Sequence, residues 1–109
     1  MNTFINIFIL YQIMFQSVKK MELPAGVFPS TAEIRMDDIY LKAIKKDAFS
    51  AMDILSVVIT NTSIDTIEKG AFSNKTLIDK LEFADVKFRI IRDGALRAAV
   101  NELIVRYST

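Results

Sequence analysis

The chain has 109 residues, 51% hydrophobic and 25% charged, with a net charge of +1 at pH 7. That length holds one domain, the apolar content argues against disorder, and the balanced charge gives no electrostatic case for nucleic acid or an acidic surface. The sequence contains neither cysteine nor histidine, which removes disulfides, thiol nucleophiles, histidine-based triads and most zinc sites. With no phosphate loop or nucleophile–base pair, the expectation is a non-enzymatic chain without a cofactor.

The N-terminal stretch from Phe4 to Phe15 is apolar apart from Asn6 and Gln12. It is too short to span a bilayer comfortably, so no membrane span is expected. Two readings stay open for residues 1–17. They have the apolar length of a signal peptide but lack its positive start and a small-residue cleavage site. Alternatively, Leu10, Ile13, Phe15 and Val18 form the strand of a degraded first repeat, in which Lys20 falls on an apolar position.

From there one phrase recurs. Copies begin at Leu10, Thr31, Ile54, Ile78 and Val100, and residues 18–109 are read as one repeat domain. Two copies are clear. One has Ile54, Val57, Ile59, Thr62, Ile64 and Ile67 before Gly70-Ala71-Phe72. The other has Ile78, Leu81, Phe83, Val86, Phe88 and Ile91 before Gly94-Ala95-Leu96. The pairs Ile13/Phe15, Ile34/Met36, Val57/Ile59, Leu81/Phe83 and Leu103/Val105 have i, i+2 spacing, which places them on one face of a short strand. Leu41, Ile64 and Phe88, then Leu23, Ile44, Ile67 and Ile91, are expected to cross the core beneath that sheet. Gly26, Asp47, Gly70 and Gly94 form a turn column that calls for positive φ. Phe28, Phe49, Phe72 and Leu96 follow as an aromatic spine. Ser50-Ala51-Met52-Asp53 and Arg97-Ala98-Ala99 read as single helical or 3-10 turns.

These columns resemble the leucine-rich-repeat family over about residues 10 to 107, and the Ile-x-x-Gly-Ala-Phe ending is similar to the extracellular animal type. The resemblance implies an α/β solenoid, with a short parallel sheet of about five strands on the concave side and irregular or 3-10 turns on the convex side. One column departs from the family. Where its repeats usually carry Asn, this chain has Val18, Ile39, Thr62 and Val86, and the polar residue sits one place earlier, as Ser17, Asp38, Asn61 and Asp85. Those four are read as strand-end caps bonding local amides. The Asn61-Thr62 pair also resembles a subset of arthropod secreted repeats, including the non-catalytic subunit of shrimp-type luciferases.

The resemblance implies a protein-binding module that is extracellular or secreted and holds a protein partner on its concave sheet. The outward strand positions supply the candidate site: Arg35, Asp37, Val58, Thr60, Glu82, Ala84, Ile104 and Arg106, with Val58 and Ile104 as exposed aliphatics. Asn74 and Asn61 lie in glycosylation triplets, Asn74 on a loop and Asn61 beside a strand. Asp37, Asp38, Glu82 and Asp85 cluster near strand ends, but their spacing matches no calcium loop, and no metal site is expected. The second reading is a structural subunit, or a piece of a longer repeat protein, that docks or self-associates through open solenoid ends. The apolar edges at Leu10–Phe15 and Leu103–Val105 favour it.

Overall fold

Residues 10–26, 31–50 and 53–107 are described by the structure, a computed structural model. Apolar side chains at alternate positions need a strand with one buried face. The repeat supplies that pattern twice per turn. The strands are β1 (Leu10–Gln16), β2 (Met21–Leu23), β3 (Thr31–Asp37), β4 (Tyr40–Ile44), β5 (Asp53–Ile67), β6 (Leu77–Ile91) and β7 (Ala99–Arg106). Every pairing is parallel and joins one repeat to the next. The result is a parallel-sheet β-solenoid of about four turns.

The first side is the expected five-strand sheet, in the order β1-β3-β5-β6-β7. Its register follows the repeat starts, with Leu10 opposite Thr31, Ile54 opposite Ile78 and Ile78 opposite Val100. The second side differs from expectation. The segments read as crossing the core are themselves strands: β2, β4 and the later halves of β5 and β6 lie side by side in parallel. Lys20 does not occupy the core there. A register shift after Met21 sets Met21 opposite Leu41 and Leu23 opposite Ile44. Lys20 is thereby left exposed, while Met21 is half-buried in its place. A bulge of this kind moves one side chain across without displacing the rest of the ladder.

The corner between the two sides explains the missing asparagine column. Ser17, Asp38, Asn61 and Asp85 all have positive φ, at 57°, 56°, 48° and 57°. They are corner residues in the left-handed region, which Asn and Asp tolerate because their short polar side chains bond locally. Three of these side chains reach the neighbouring turn. Ser17 Oγ donates to Asp38 Oδ2 at 3.2 Å, and Asn61 Nδ2 donates to Asp37 Oδ1 at 3.3 Å. The corner turns the next residue inward, so Ile39, Thr62 and Val86 are buried. An apolar residue suits that position, and Thr62 fits by donating its hydroxyl to the carbonyl of Thr60 at 2.8 Å.

The second corner forms as expected at Gly26, Asp47, Gly70 and Gly94, with φ of 65°, 63°, 76° and 75°. Backbone N–H groups there bond along the solenoid: Gly26 to Asp47, Asp47 to Gly70 and Gly70 to Gly94, at 2.9–3.0 Å. On the third side Phe49 and Phe72 stack with ring centroids 4.4 Å apart, and Phe72 bridges to Leu96. Phe28, expected in the same spine, lies outside the described residues, as do Ala51 and Met52. No described residue is helical or in a 3-10 turn, so of the irregular or 3-10 turns expected on the convex side only irregular ones are present among the described residues. Several donors there bond the adjacent repeat, while Thr76 N–H bonds Ser73 O within its own turn at 3.0 Å. Ser73 N–H bonds Phe49 O at 3.2 Å, Arg97 N–H bonds Phe72 O at 3.1 Å, and Ala99 N–H bonds Thr76 O at 3.0 Å. The buried Thr76 hydroxyl donates to the Phe49 carbonyl.

Candidate functional site

The outer face of the first sheet gathers the expected site residues. In register across it run Met14, Arg35, Val58, Glu82 and Ile104, and beside them Gln16, Asp37, Thr60, Ala84 and Arg106. Their chemistry is largely consumed within the face. Arg35 Nε lies 3.2 Å from Glu33 Oε1, Lys80 Nζ lies 3.5 Å from Glu82 Oε1, and Arg106 Nη1 lies 3.6 Å from Glu82 Oε2. Thr60 Oγ1 donates to Asp37 Oδ1 at 2.6 Å. That bond, seconded by Asn61, holds the Asp37 carboxyl below its ordinary range. Val58 is buried between Arg35 and Glu82 rather than exposed, while Ala84 and Ile104 are half-buried. The face is therefore a self-paired polar surface with few unspent charges.

The outer face of the second sheet carries a ladder that the sequence reading did not single out. Arg89 grips Asp65 with two nitrogens, Nε and, at 3.2 Å, Nη2. Arg89 comes first among the causes that lower the Asp65 carboxyl, and Lys42 contributes from the other side. The signal was present as Lys42, Asp65 and Arg89 at one repeat position. It was missed because that segment was not read as a strand.

The C-terminal end has the opposite character. Leu103 and Val105 are 58% and 48% exposed, whereas their counterparts one repeat earlier, Leu81 and Phe83, are 2% and 4% exposed. Ile91 is 48% exposed against 0% for Ile67, and Leu96 is 46% exposed against 0% for Phe72. Tyr107 stands in the corner column and is the most exposed large apolar residue among those described. Leu103, Val105, Ile91 and Leu96 face the core in pattern and solvent in fact, because no described strand follows on that side. Among the described residues β7 pairs along one edge only, with β6. The later half of β6 pairs only with β5. Among the described residues this end thus combines a strand edge without a partner strand and an exposed apolar cross-section.

Two open grooves flank the corners. One of about 370 Å³ runs along Asn61, Thr62, Ser63, Asp85, Val86 and Lys87 to Tyr107. The other, about 740 Å³, lies at the second corner between Lys46, Glu68, Lys69 and Ile91, Arg92, Asp93. Among the described residues no group of three or more carboxylates could hold a metal ion, and no helix is long and apolar enough to cross a membrane. Asn74 is exposed in a turn, as a glycan acceptor requires, whereas Asn61 serves the corner and Asp37. No family model, no curated protein and no solved structure matches the chain.

Proposed function

We propose that the chain is a non-enzymatic interaction module, a leucine-rich-repeat-type solenoid of a secreted protein, that docks onto a protein partner through its open C-terminal end. One observation carries this choice of surface. Leu103, Val105, Ile91 and Leu96 are core residues by position and are about half exposed. Exposed apolar patches rimmed by polar residues mark protein-interaction sites, and a free strand edge adds backbone hydrogen bonds to that attraction. The repeat period and inward columns support the leucine-rich-repeat likeness, although the all-β second side departs from it. Secretion rests on the exposed Asn74 triplet and on the sequence resemblance.

The outer face of the first sheet is the lesser candidate, because its carboxylates and cations already answer one another. The test is site-specific photo-crosslinking of the full chain in its own cells, with the probe placed at Leu103, Tyr107, Arg35 or Thr60. Docking through the end predicts protein adducts from Leu103 and Tyr107 only. Adducts from Arg35 and Thr60 alone would return the function to the sheet face.

A further inference from the structure

We infer that the occupant of the open end is a second copy of this chain, joined about a two-fold axis with the two β7 strands antiparallel and Ile104 opposite Ile104. The inference rests on the docking surface just proposed and adds the partner and its register.

The argument starts from the sequence of β7, Ala99–Arg106. Directly opposed residues on antiparallel strands share a face. The core-side residues Leu103 and Val105 must therefore meet core-side residues, which allows only registers that keep inward positions together. Among these, centring on Glu102 sets two like charges opposite each other. Centring on Leu103 sets Glu102 against Ile104. Centring on Ile104 sets Glu102 against Arg106 twice, once on each side of the axis, and Leu103 against Val105 twice. β7 is thus self-complementary in charge and in apolar pattern about one residue. Both charged side chains are exposed on the outer face. Arg106, two-thirds exposed, reaches Glu82 on its own chain at 3.6 Å and has donors left for a second carboxylate.

The same axis lays one apolar cross-section on the other, so Leu96 and Ile91 of each copy meet apolar surface instead of water. The contact also closes. A two-fold interface is used up by one partner, whereas head-to-tail stacking of like repeats continues without limit. Head-to-tail pairing of β7 with β1 in the repeat register sets Glu102 on Gln12, Ile104 on Met14 and Arg106 on Gln16, with no opposite charges facing. Along β1, moreover, Ile13 and Phe15 are half-buried, in contrast to the open Leu103 and Val105.

Three measurements on the full chain decide it. Sedimentation of the wild-type protein at about 100 µM should give a dimer. Glu102→Arg and Arg106→Glu should each weaken self-association by about tenfold or more, since each places like charges opposite twice. An equimolar mixture of the two variants should dimerise again, because every cross-strand pair is then Glu with Arg. A misfolded variant would not be rescued by mixing. In this cysteine-free chain, Ile104→Cys should oxidise to a covalent dimer, because opposed Cβ atoms lie about 4.5–5.5 Å apart, near disulfide reach. A monomer at that concentration overturns the inference. So does a dimer indifferent to the charge changes, or a ladder of linked species formed only when Met14→Cys is combined with Ile104→Cys. A photo-adduct at Leu103 to a different protein would also overturn it while leaving the docking surface in place.

Discussion

Successive repeats toward the C-terminal end of this solenoid carry nearly the same pattern and meet opposite fates. Phe72 is fully buried against the ring of Phe49, whereas Leu96, its successor in the same column, is half exposed. Leu81 and Leu103 stand in the same relation on the first sheet. The difference lies in the neighbour, since a repeat buries its core only when another repeat covers it. A residue's contribution here is thus set by its place along the axis as much as by its type.

Truncations test that contrast most strongly. Phe72→Ala should cost about 3–5 kcal/mol and Leu81→Ala about 2–5 kcal/mol, because each leaves a cavity in a closed core. Leu96→Ala and Leu103→Ala should each cost less than about 1 kcal/mol when measured by urea denaturation in dilute, monomeric protein, because water already reaches both sites. Equal losses at the inner and outer positions would show that the end is covered. Thr76→Val strips the buried hydroxyl bonded to the Phe49 carbonyl. Denaturation should show a loss of about 1 kcal/mol, since the Phe49 carbonyl keeps the Ser73 N–H and loses only the hydroxyl.

The corners sharpen the comparison from the backbone side. A Cβ at Gly70 would sit 3.4 Å from Lys46 Cγ, an ordinary contact, so the cost of Gly70→Ala comes from its φ of +76°. About 1–2 kcal/mol is expected, and Asp47→Gly in the same column should not destabilise. The smallest effect concerns pH. The carboxyls of Asp37 and Asp65 are held below the ordinary value of 3.8, by the Thr60 hydroxyl and the Arg89 guanidinium respectively. Their ionised forms therefore add stability that is present above pH 3.8 and lost as the pH falls through the lower folded-state values. Asp37→Asn should flatten part of that acid loss in thermal melts between pH 5 and pH 2, and an unchanged slope would remove Asp37 from the account.

Much of the first sheet was legible from the sequence, because a two-residue alternation flanked by fixed turn positions allows only one register. The repeat starts, the inward pairs from Ile13/Phe15 to Leu103/Val105, and the turn column at Gly26, Asp47, Gly70 and Gly94 all stand as read. The second sheet was not legible. Its inward residues, such as Ile64 and Ile67, are three apart and so lack the two-residue alternation that marks a strand, and the corner at Asn61 that opens this side is a backbone φ with no signature in side-chain periodicity. Ser17, Asp38, Asn61 and Asp85 did carry a clue, being residue types suited to the left-handed region or to local bonding, yet the same types also suit caps. At the candidate site, the outward columns were readable but their mutual neutralisation was not. Whether Arg35 meets Glu33 depends on rotamers, and Val58 is buried by side chains brought from two other repeats.

The open end is the account's central claim, and hydrogen exchange tests it most directly. Amides of β5 and β7 in the full chain would be compared at about 1 µM and about 100 µM protein. The account predicts that β5 is equally protected at both concentrations, while β7 exchanges freely in the dilute sample and gains protection in the concentrated one. Protection of β7 equal to that of β5 at both concentrations would contradict it.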